Sequence, residues 1–166
     1  KTKLSVNATY KHLDSPLLIQ DQIVRYLSNS SYLSMSLYAM PLHWMAIDYS
    51  NSWYIIKSRM KLGSSVPTQK TFKSKLAFNF FIAKALSLNM NFAYYYNNRN
   101  EKDKSFILSN ADASYAIKRW NFTLVVDNLW NQKQYINSFS TELQENTTIY
   151  RIRPRSVLLK VRYRIF

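Results

Sequence analysis

The amino-acid sequence predicts an all-β chain made of antiparallel transmembrane β-barrel strands. Its clearest segment is 86–96, where Leu, Met, Phe and Tyr occupy one parity and mainly Ser and Asn the other. Side chains alternate between the two faces of a strand, so this segment has one apolar and one polar face. The same alternation recurs along most of the chain, and no run of about 18 apolar residues would form a membrane-spanning helix. Such two-faced strands are typical of a wall between lipid and water, which predicts an outer-membrane barrel.

Composition indicates a single β-barrel domain over residues 1–166. Aromatic residues make up 16% and charged residues only 19%, against about 25% charged in ordinary globular chains. The absence of cysteine excludes disulfides, thiolate metal sites and a cysteine nucleophile. The net charge of +14 raises the question of nucleic-acid binding, but the cations lie at proposed loops and strand ends rather than in one compact basic run. We expect no nucleic acid as partner, because basic strand ends suit outer-membrane lipid and the phosphates of lipopolysaccharide.

The alternation predicts about nine strands. They are the segments 3–12, 17–27, 32–40, 45–57, 70–82, 86–96, 106–117, 120–130 and 147–166. Turns are expected at 14–16 and 29–30, and a parity change within 17–27 indicates either a bulge or a switch of faces.

The predicted connections differ in length. Those at 14–16, 41–44, 84–85 and 118–119 are short, whereas 58–69, 97–105 and 131–146 are long loops. Short turns on the periplasmic side and long loops outside are typical of outer-membrane barrels. Nine strands ending in the periplasm would place the N-terminus outside the cell. The strand count is therefore wrong by one, or the chain is part of a longer protein.

The last predicted strand carries two sets of cations of opposite parity. An apolar stripe runs through Val157, Leu159, Val161, Tyr163 and Ile165. The first set flanks Pro154 and is odd-numbered: Arg151, Arg153 and Arg155. The second set lies further along and is even-numbered: Lys160, Arg162 and Arg164. Either the register slips once near Pro154, which lacks an amide proton, or the first set stands above the membrane.

The end of the chain resembles a known family. The features are Asp127, Asn128, Leu129, Trp130, Asn131 and Tyr135, followed by Pro154, Arg155 and Ser156 before a final strand that ends at Phe166. They resemble the C-terminal end of the barrel of TonB-dependent outer-membrane receptors, in the form typical of the Bacteroidota. The resemblance covers about the last 45 residues.

The resemblance implies a barrel of about 22 strands with a plugged lumen that takes up nutrients across the bacterial outer membrane. This chain contains no recognisable plug domain, so it would be the C-terminal part of such a barrel. The implied partners are the remainder of the barrel and its plug, or a partner chain, and a surface lipoprotein. Tyr163, Ile165 and Phe166 would form the closing strand and its insertion signal, although Arg162 and Arg164 occupy alternate positions where the family has apolar residues.

No catalytic, cofactor or metal site is expected, and we predict that the chain is not an enzyme. Its two histidines, His12 and His43, have no partner at metal-ligand spacing, and no G-x-S-x-G motif is present. Two alternatives stay open. One is a complete small barrel of 8–10 strands with a structural, adhesive or narrow-pore role, which requires the first strand to pair with the last. The other is a soluble β-protein that binds a polyanion.

Overall fold

A computed structural model of the chain describes residues 1–19, 21–60, 65–100, 104–140 and 145–165. These residues form ten β-strands and no helix, which confirms the all-β prediction. The strands are β1 Thr2–Ile19, β2 Gln22–Leu42, β3 Met45–Met60, β4 Ser65–Ala83, β5 Leu86–Asn97, β6 Ser105–Ile117, β7 Trp120–Asp127, β8 Gln134–Ser140, β9 Glu145–Arg151 and β10 Ser156–Tyr163.

Eight strands form one large antiparallel sheet in the order β1-β2-β3-β4-β5-β6-β7-β10. Successive strands pair as hairpins except at one place, where β8 and β9 form a separate two-stranded sheet between β7 and β10. The large sheet is not closed, because among the described residues β1 pairs only with β2 and β10 pairs only with β7. Both outer strands therefore present an unpaired edge.

The first two strands are longer than the sequence suggested. β1 and β2 pair without interruption from Thr2 opposite Ala39 to Ile19 opposite Gln22. The turns predicted at 14–16 and 29–30 are therefore wrong. Pro16 is tolerated because β1 is an edge strand, where a missing amide proton need not break a ladder bond. The chain reverses instead at Asp21, whose φ of 61° lies in the left-handed region that Asp tolerates.

Two further loop predictions were wrong. Most of the segment 58–69 is strand, since β3 continues to Met60 and β4 starts at Ser65; the connection 61–64 lies outside the described residues. The register shifts between Ile56 and Ser58, beside Pro67, and a proline is tolerated at such an irregularity. The segment 131–146 includes β8, and the predicted final strand 147–166 is divided into β9 and β10.

An even number of strands in the main sheet places both of its ends on one side. Thr2 lies opposite Ala39, and Tyr163 lies opposite Trp120, so β1 begins and β10 ends beside the turns 43–44, 84–85 and 118–119. The turn at Asp21, the end of β3 with the start of β4, the end of β5 with the start of β6, and the end of β7 with the start of β10 lie on the opposite side. The chain has ten strands rather than about nine, and the placement of the two ends on opposite sides is wrong for the main sheet. The separation of short turns from long connections holds only in part, because the short turn at Asp21 lies on the side of the long connections.

The pairing aligns the apolar stripes of all eight strands on one face of the sheet, because directly opposed residues of antiparallel strands point to the same side. We call this the apolar face. It carries Leu4, Val6, Ala8, Leu33, Met35, Leu37, Ile47, Tyr49, Trp53, Phe72, Leu76, Phe78, Phe80, Leu88, Met90, Phe92, Tyr94, Ile107, Ala111, Ala113, Tyr115, Trp120, Phe122, Leu124, Val126, Val157, Leu159, Val161 and Tyr163.

The opposite, polar face is built mainly from hydroxyl, amide and charged side chains. It carries Lys3, Ser5, Asn7, Ser34, Ser36, Asp48, Ser50, Ser52, Lys73, Lys75, Asn89, Asn91, Asn110, Asp112, Asn121, Thr123, Lys160 and Arg162.

The apolar face is not folded into a core. Among the described residues only three hydrophobic side chains, Val24, Tyr26 and Ala46, are buried, whereas seven polar ones are. A water-soluble protein has the opposite distribution, with its large apolar side chains inside. The main sheet is a single layer whose apolar side is left uncovered by the described residues.

Candidate functional site

The apolar face is a band bounded by aromatic side chains. Leu4 is 61% exposed, Leu124 45% and Val157 65%, so the band is open to its surroundings along its width. Near the short turns, the rings of Trp44 and Phe80 lie 6.2 Å apart and those of Trp120 and Tyr163 4.7 Å apart. Toward the other side, Phe72 lies 5.3 Å from Trp53 and 5.9 Å from Tyr94.

The two aromatic rows set the height of the band. Along β4, Phe72 and Phe80 belong to the same face, and eight residues of strand extend about 27 Å. In a barrel whose strands tilt by about 40°, that length spans roughly 21 Å, close to the apolar band of about 25 Å found in outer-membrane barrels. The height of the band is therefore comparable to that of the apolar band in outer-membrane barrels.

Above this band the two faces exchange character in β1 and β2. On the parity that was apolar, the Tyr10 hydroxyl donates to Asn29 Oδ1 at 3.0 Å, His12 Nδ1 lies 2.6 Å from the same oxygen, and Arg25 pairs with Asp14. On the other parity, Val24 and Tyr26 are buried.

For the parity change within 17–27 the sequence predicted either a bulge or a switch of faces. The β1–β2 register is unbroken, so the bulge is wrong there and the switch of faces accounts for the change. The hydrogen bond from Arg25 to Asp14 and the negative charge of Asp14 raise the pKa of Arg25.

The polar face is concave. A groove of about 610 Å³ runs along it, and residues from six successive strands line it. Its polar-face lining includes Lys3, Tyr38, Asp48, Lys75, Asn91 and Asn110. A groove lined by six strands in sequence order requires that the sheet curls around it. The polar side chains therefore lie on the inside of the curve and the apolar band on the outside.

Beside this groove two neighbouring rows of side chains cross the sheet. In the first row Ser36 opposes Ser50, which opposes Lys75. In the second row Ser34 opposes Ser52, which opposes Lys73. We call these six residues the serine–lysine field. They line a cavity of about 330 Å³ that also includes Ser5 and Asn7 of β1.

The β8–β9 hairpin folds over the polar face near the long connections. Asn97 Nδ2 donates to the carbonyl oxygen of Ser138 at 2.5 Å, and Asn100 Nδ2 donates to that of Ile136 at 2.8 Å. Gln69 Nε2 also reaches the Ser138 carbonyl, at 3.4 Å. Residues of β4, β5 and the following connection thus fix the hairpin through its backbone.

A column of four stacked rings completes this attachment. Tyr95 and Phe106 oppose each other on the polar face, and their centroids lie 4.7 Å apart. Phe106 lies 4.8 Å from Tyr135 of β8, which lies 4.6 Å from Tyr150 of β9. Stacked rings of this kind add about 0.5–1.5 kcal/mol per pair beyond the area they bury. Tyr95 and Phe106 share the parity of polar residues in the sequence, a signal that could have indicated a contact on the polar face.

The residues that carry the family resemblance are brought together. Asn128 is 5% exposed with a φ of 53°, and its Nδ2 donates to the carbonyl oxygens of Gln132 and Arg153, both at 2.9 Å. Its Oδ1 accepts from the Gln132 amide at 2.8 Å. Asn131, also with a φ of 53°, accepts from the Arg155 amide at 3.0 Å.

The two halves of the motif thus form one hydrogen-bonded turn. Asp127 ends β7 opposite Ser156, the first residue of β10, and Leu129 donates its amide to the Ser109 carbonyl of β6. Pro154 and Arg155 lie in the segment that the turn holds. Every contact of Asn128 named above is to the backbone of this region, which is the geometry of a structural turn at a strand–loop junction.

The cations of the last predicted strand divide between two elements. Arg151 ends β9, and Arg153 and Arg155 lie in the exposed segment before β10. Lys160 and Arg162 lie in β10 opposite Thr123 and Asn121, on the polar face. No register slip inside one strand is needed, because only the second set lies in β10. Tyr163 and Ile165 lie at the end of β10 and just beyond it, while Phe166 lies outside the described residues.

Other site types find no support in the described part of the chain. No group of three or more His, Asp or Glu side chains that could hold a metal ion occurs there. Within the same residues no helix has the length and apolar character needed to cross a membrane. Comparison with protein-family models, with curated proteins and with solved structures finds no match to this chain.

Proposed function

We propose that this chain is part of the barrel wall of an outer-membrane TonB-dependent receptor that takes up nutrients. In this proposal the apolar face contacts lipid, the polar face lines the lumen, and the short turns lie in the periplasm. The chain works only together with the rest of the barrel and its plug, or with a partner chain, and it has no catalytic role.

The exposed apolar face is the observation on which the proposal rests. In water, an uncovered apolar layer eight strands wide would be an aggregation surface, since monomeric soluble proteins rarely expose contiguous apolar patches beyond a few hundred Å². In a bilayer the same face is the stable arrangement, because lipid chains cover it and the ladders satisfy the backbone hydrogen bonds. Its aromatic borders are the girdles of such barrels.

The open edges favour a larger barrel over a complete small one. A closed barrel of this chain alone requires β1 to pair with β10, yet these strands lie at opposite edges of the sheet. Unpaired strand edges are not tolerated in hydrocarbon, so each edge needs a neighbouring strand. The Asn128 turn, in which both halves of the receptor-like motif meet, supports the receptor family as the source of those strands.

A cysteine-labelling experiment tests the wall directly, and the chain has no native cysteine to interfere. Met90 and Asn91 are consecutive and lie on the apolar and polar faces respectively. With the complete barrel that contains this chain in lipid vesicles, we expect a hydrophilic maleimide to label Asn91→Cys readily and Met90→Cys slowly. A bimane on Met90→Cys should be quenched by lipids with brominated acyl chains. Equal labelling of both positions, or a monodisperse monomer without detergent, would contradict the proposal.

The gene upstream of Lys1 distinguishes the two kinds of barrel. A plug-like domain and further barrel strands encoded there would support the receptor. A signal peptide immediately before Lys1 would instead support the small barrel.

A further inference from the structure

We infer that the serine–lysine field is a binding site for a soluble oxyanion, meaning a solute that carries phosphate, sulfate or carboxylate groups. The inference deepens the proposed function and rests on it, because it assigns a substrate class to the lumen side of the wall. The argument depends on three features of the field, namely its charge, its free donors and its shape.

The field contains two ammonium groups and no carboxylate. Lys73 and Lys75 are exposed, and no ion pair or side-chain hydrogen bond joins either one to the described part of the chain. The nearest acid on the same face is Asp48, one row away opposite Ala77, and Asn79 Nδ2 already donates to it at 3.4 Å. Lys3 faces the same groove, so the groove has more cations than anions. A concave surface with an excess of one charge concentrates solutes of the opposite charge.

The four serines of the field supply donors that the protein does not use. None of their hydroxyls has a hydrogen-bond partner within the described residues. Two other opposed hydroxyl pairs are bonded to each other, namely Ser28 to Ser58 at 3.1 Å and Ser114 to Thr123 at 2.9 Å. Hydroxyl and ammonium donors directed at one place match the several acceptor oxygens of an oxyanion.

The shape of the field fits a compact anion with more than one charge. Residues two apart on a strand lie about 7 Å apart, and neighbouring strands lie about 4.8 Å apart. Lys73 and Lys75 therefore form one side of a patch about 10 Å wide, with the serine hydroxyls across its floor. The cavity over it, about 330 Å³, is on the concave side of the sheet, away from the apolar face. A soluble anion in the lumen reaches it, whereas a lipid headgroup on the apolar side does not.

Calorimetric titration with tripolyphosphate of the complete barrel that contains this chain, in zwitterionic detergent, tests the inference. We expect binding that weakens with added NaCl, because salt screens exposed charges. Lys73→Gln or Lys75→Gln should each weaken the affinity about fivefold, and the double variant about 25-fold. The matched control is Lys84→Gln with Lys118→Gln, which removes the same charge from the short turns and should change the affinity less than twofold. Lys73→Arg with Lys75→Arg should retain binding.

Several results would overturn the inference. One is an equal loss of affinity in the control, since binding would then follow net charge alone. Another is displacement of tripolyphosphate by maltose, a neutral sugar with hydroxyls only. A third is binding of lipid A micelles that depends on Lys73 and Lys75 without binding of tripolyphosphate, which would make the ligand a headgroup. If the double lysine variant fails to fold, Ser50→Ala with Ser52→Ala must weaken tripolyphosphate binding on its own.

The two proposals fail separately. If tripolyphosphate does not bind but Met90→Cys and Asn91→Cys still differ in labelling, the proposed oxyanion site is refuted. The proposal that the chain forms a barrel wall then stands. If binding depends on the serine–lysine field but both cysteines label equally, the barrel-wall proposal is refuted and the oxyanion site stands.

Discussion

Exchanging an aliphatic side chain for arginine on either face of β7 should have unequal effects on stability. Leu124 belongs to the apolar face and the next residue, Val125, to the polar face, where it opposes Asp112. Leu124→Arg and Val125→Arg therefore make the same kind of chemical change on one strand, and only the face differs. We expect Leu124→Arg to lower the free energy of unfolding in a bilayer by about 2–4 kcal/mol.

The depth of Leu124 sets this magnitude. It follows Trp120, in the lower aromatic row, by four residues, or about 13 Å along the strand. With a strand tilt of about 40°, Leu124 lies roughly 10 Å above that row, close to the middle of an apolar band about 25 Å tall. The cost of arginine is greatest there. Val125→Arg faces water and a carboxylate, and we expect it to change stability by no more than about 0.5 kcal/mol.

The assay is a urea titration of the complete barrel that contains this chain in phosphatidylcholine vesicles, followed by tryptophan fluorescence and extrapolated linearly to zero urea. Each variant is compared with the unmodified chain in the same vesicles. A cost for Leu124→Arg within about 0.5 kcal/mol would refute the reasoning, because that value is typical of a surface substitution in water. A larger cost for Val125→Arg than for Leu124→Arg would reverse the assignment of the faces.

Two further predictions concern the region between β7 and β10. Asn128→Ala removes the side-chain bonds to Gln132 and Arg153 and places a Cβ without hydrogen-bonding atoms at positive φ, so we expect a loss of about 2–3 kcal/mol and faster proteolysis at 152–155. Asn128→Asp keeps one acceptor, so its stability should lie between those of the unmodified chain and Asn128→Ala. Unchanged cleavage in Asn128→Ala would show that Asn128 does not hold the turn. Tyr135→Ala interrupts the ring column and should speed amide exchange in β8 and β9 at least fivefold. Tyr135→Phe keeps the ring and should not change the exchange rate. Equal exchange rates in both variants would show that the rings do not hold the hairpin.

The two-faced character of the sheet could be predicted from the sequence, because side-chain parity is a local property. Each apolar stripe was visible in its own strand, and the pairing only had to align the stripes on one side. The short turns at 84–85 and 118–119 were visible for the same reason, since two stripes of fixed parity meet there.

The positions of other turns could not be predicted, because they depend on neighbouring strands. Pro16 signals a turn locally, but an edge strand accommodates it. The β8–β9 hairpin has no long apolar stripe, and its stability comes from Asn97, Asn100 and the ring column, all outside its own sequence. The gathering of Asn128 with Arg153 joins residues 25 positions apart, which no local pattern indicates.

The order of pairing in the main sheet has a kinetic consequence. Every neighbouring pair from β1 to β7 is joined by a local connection, whereas β7 and β10 can meet only after residues 128–155 have been looped out. Closing such a loop costs about 2 kcal/mol more in chain entropy than closing a two-residue turn. Asn128 and Asn131 shorten the effective loop by bonding to Arg153 and Arg155, so this turn should form before β10 adds to the sheet. Strand β10 is then the last to join the main sheet, and the edge of β7 stays unpaired until that step is complete.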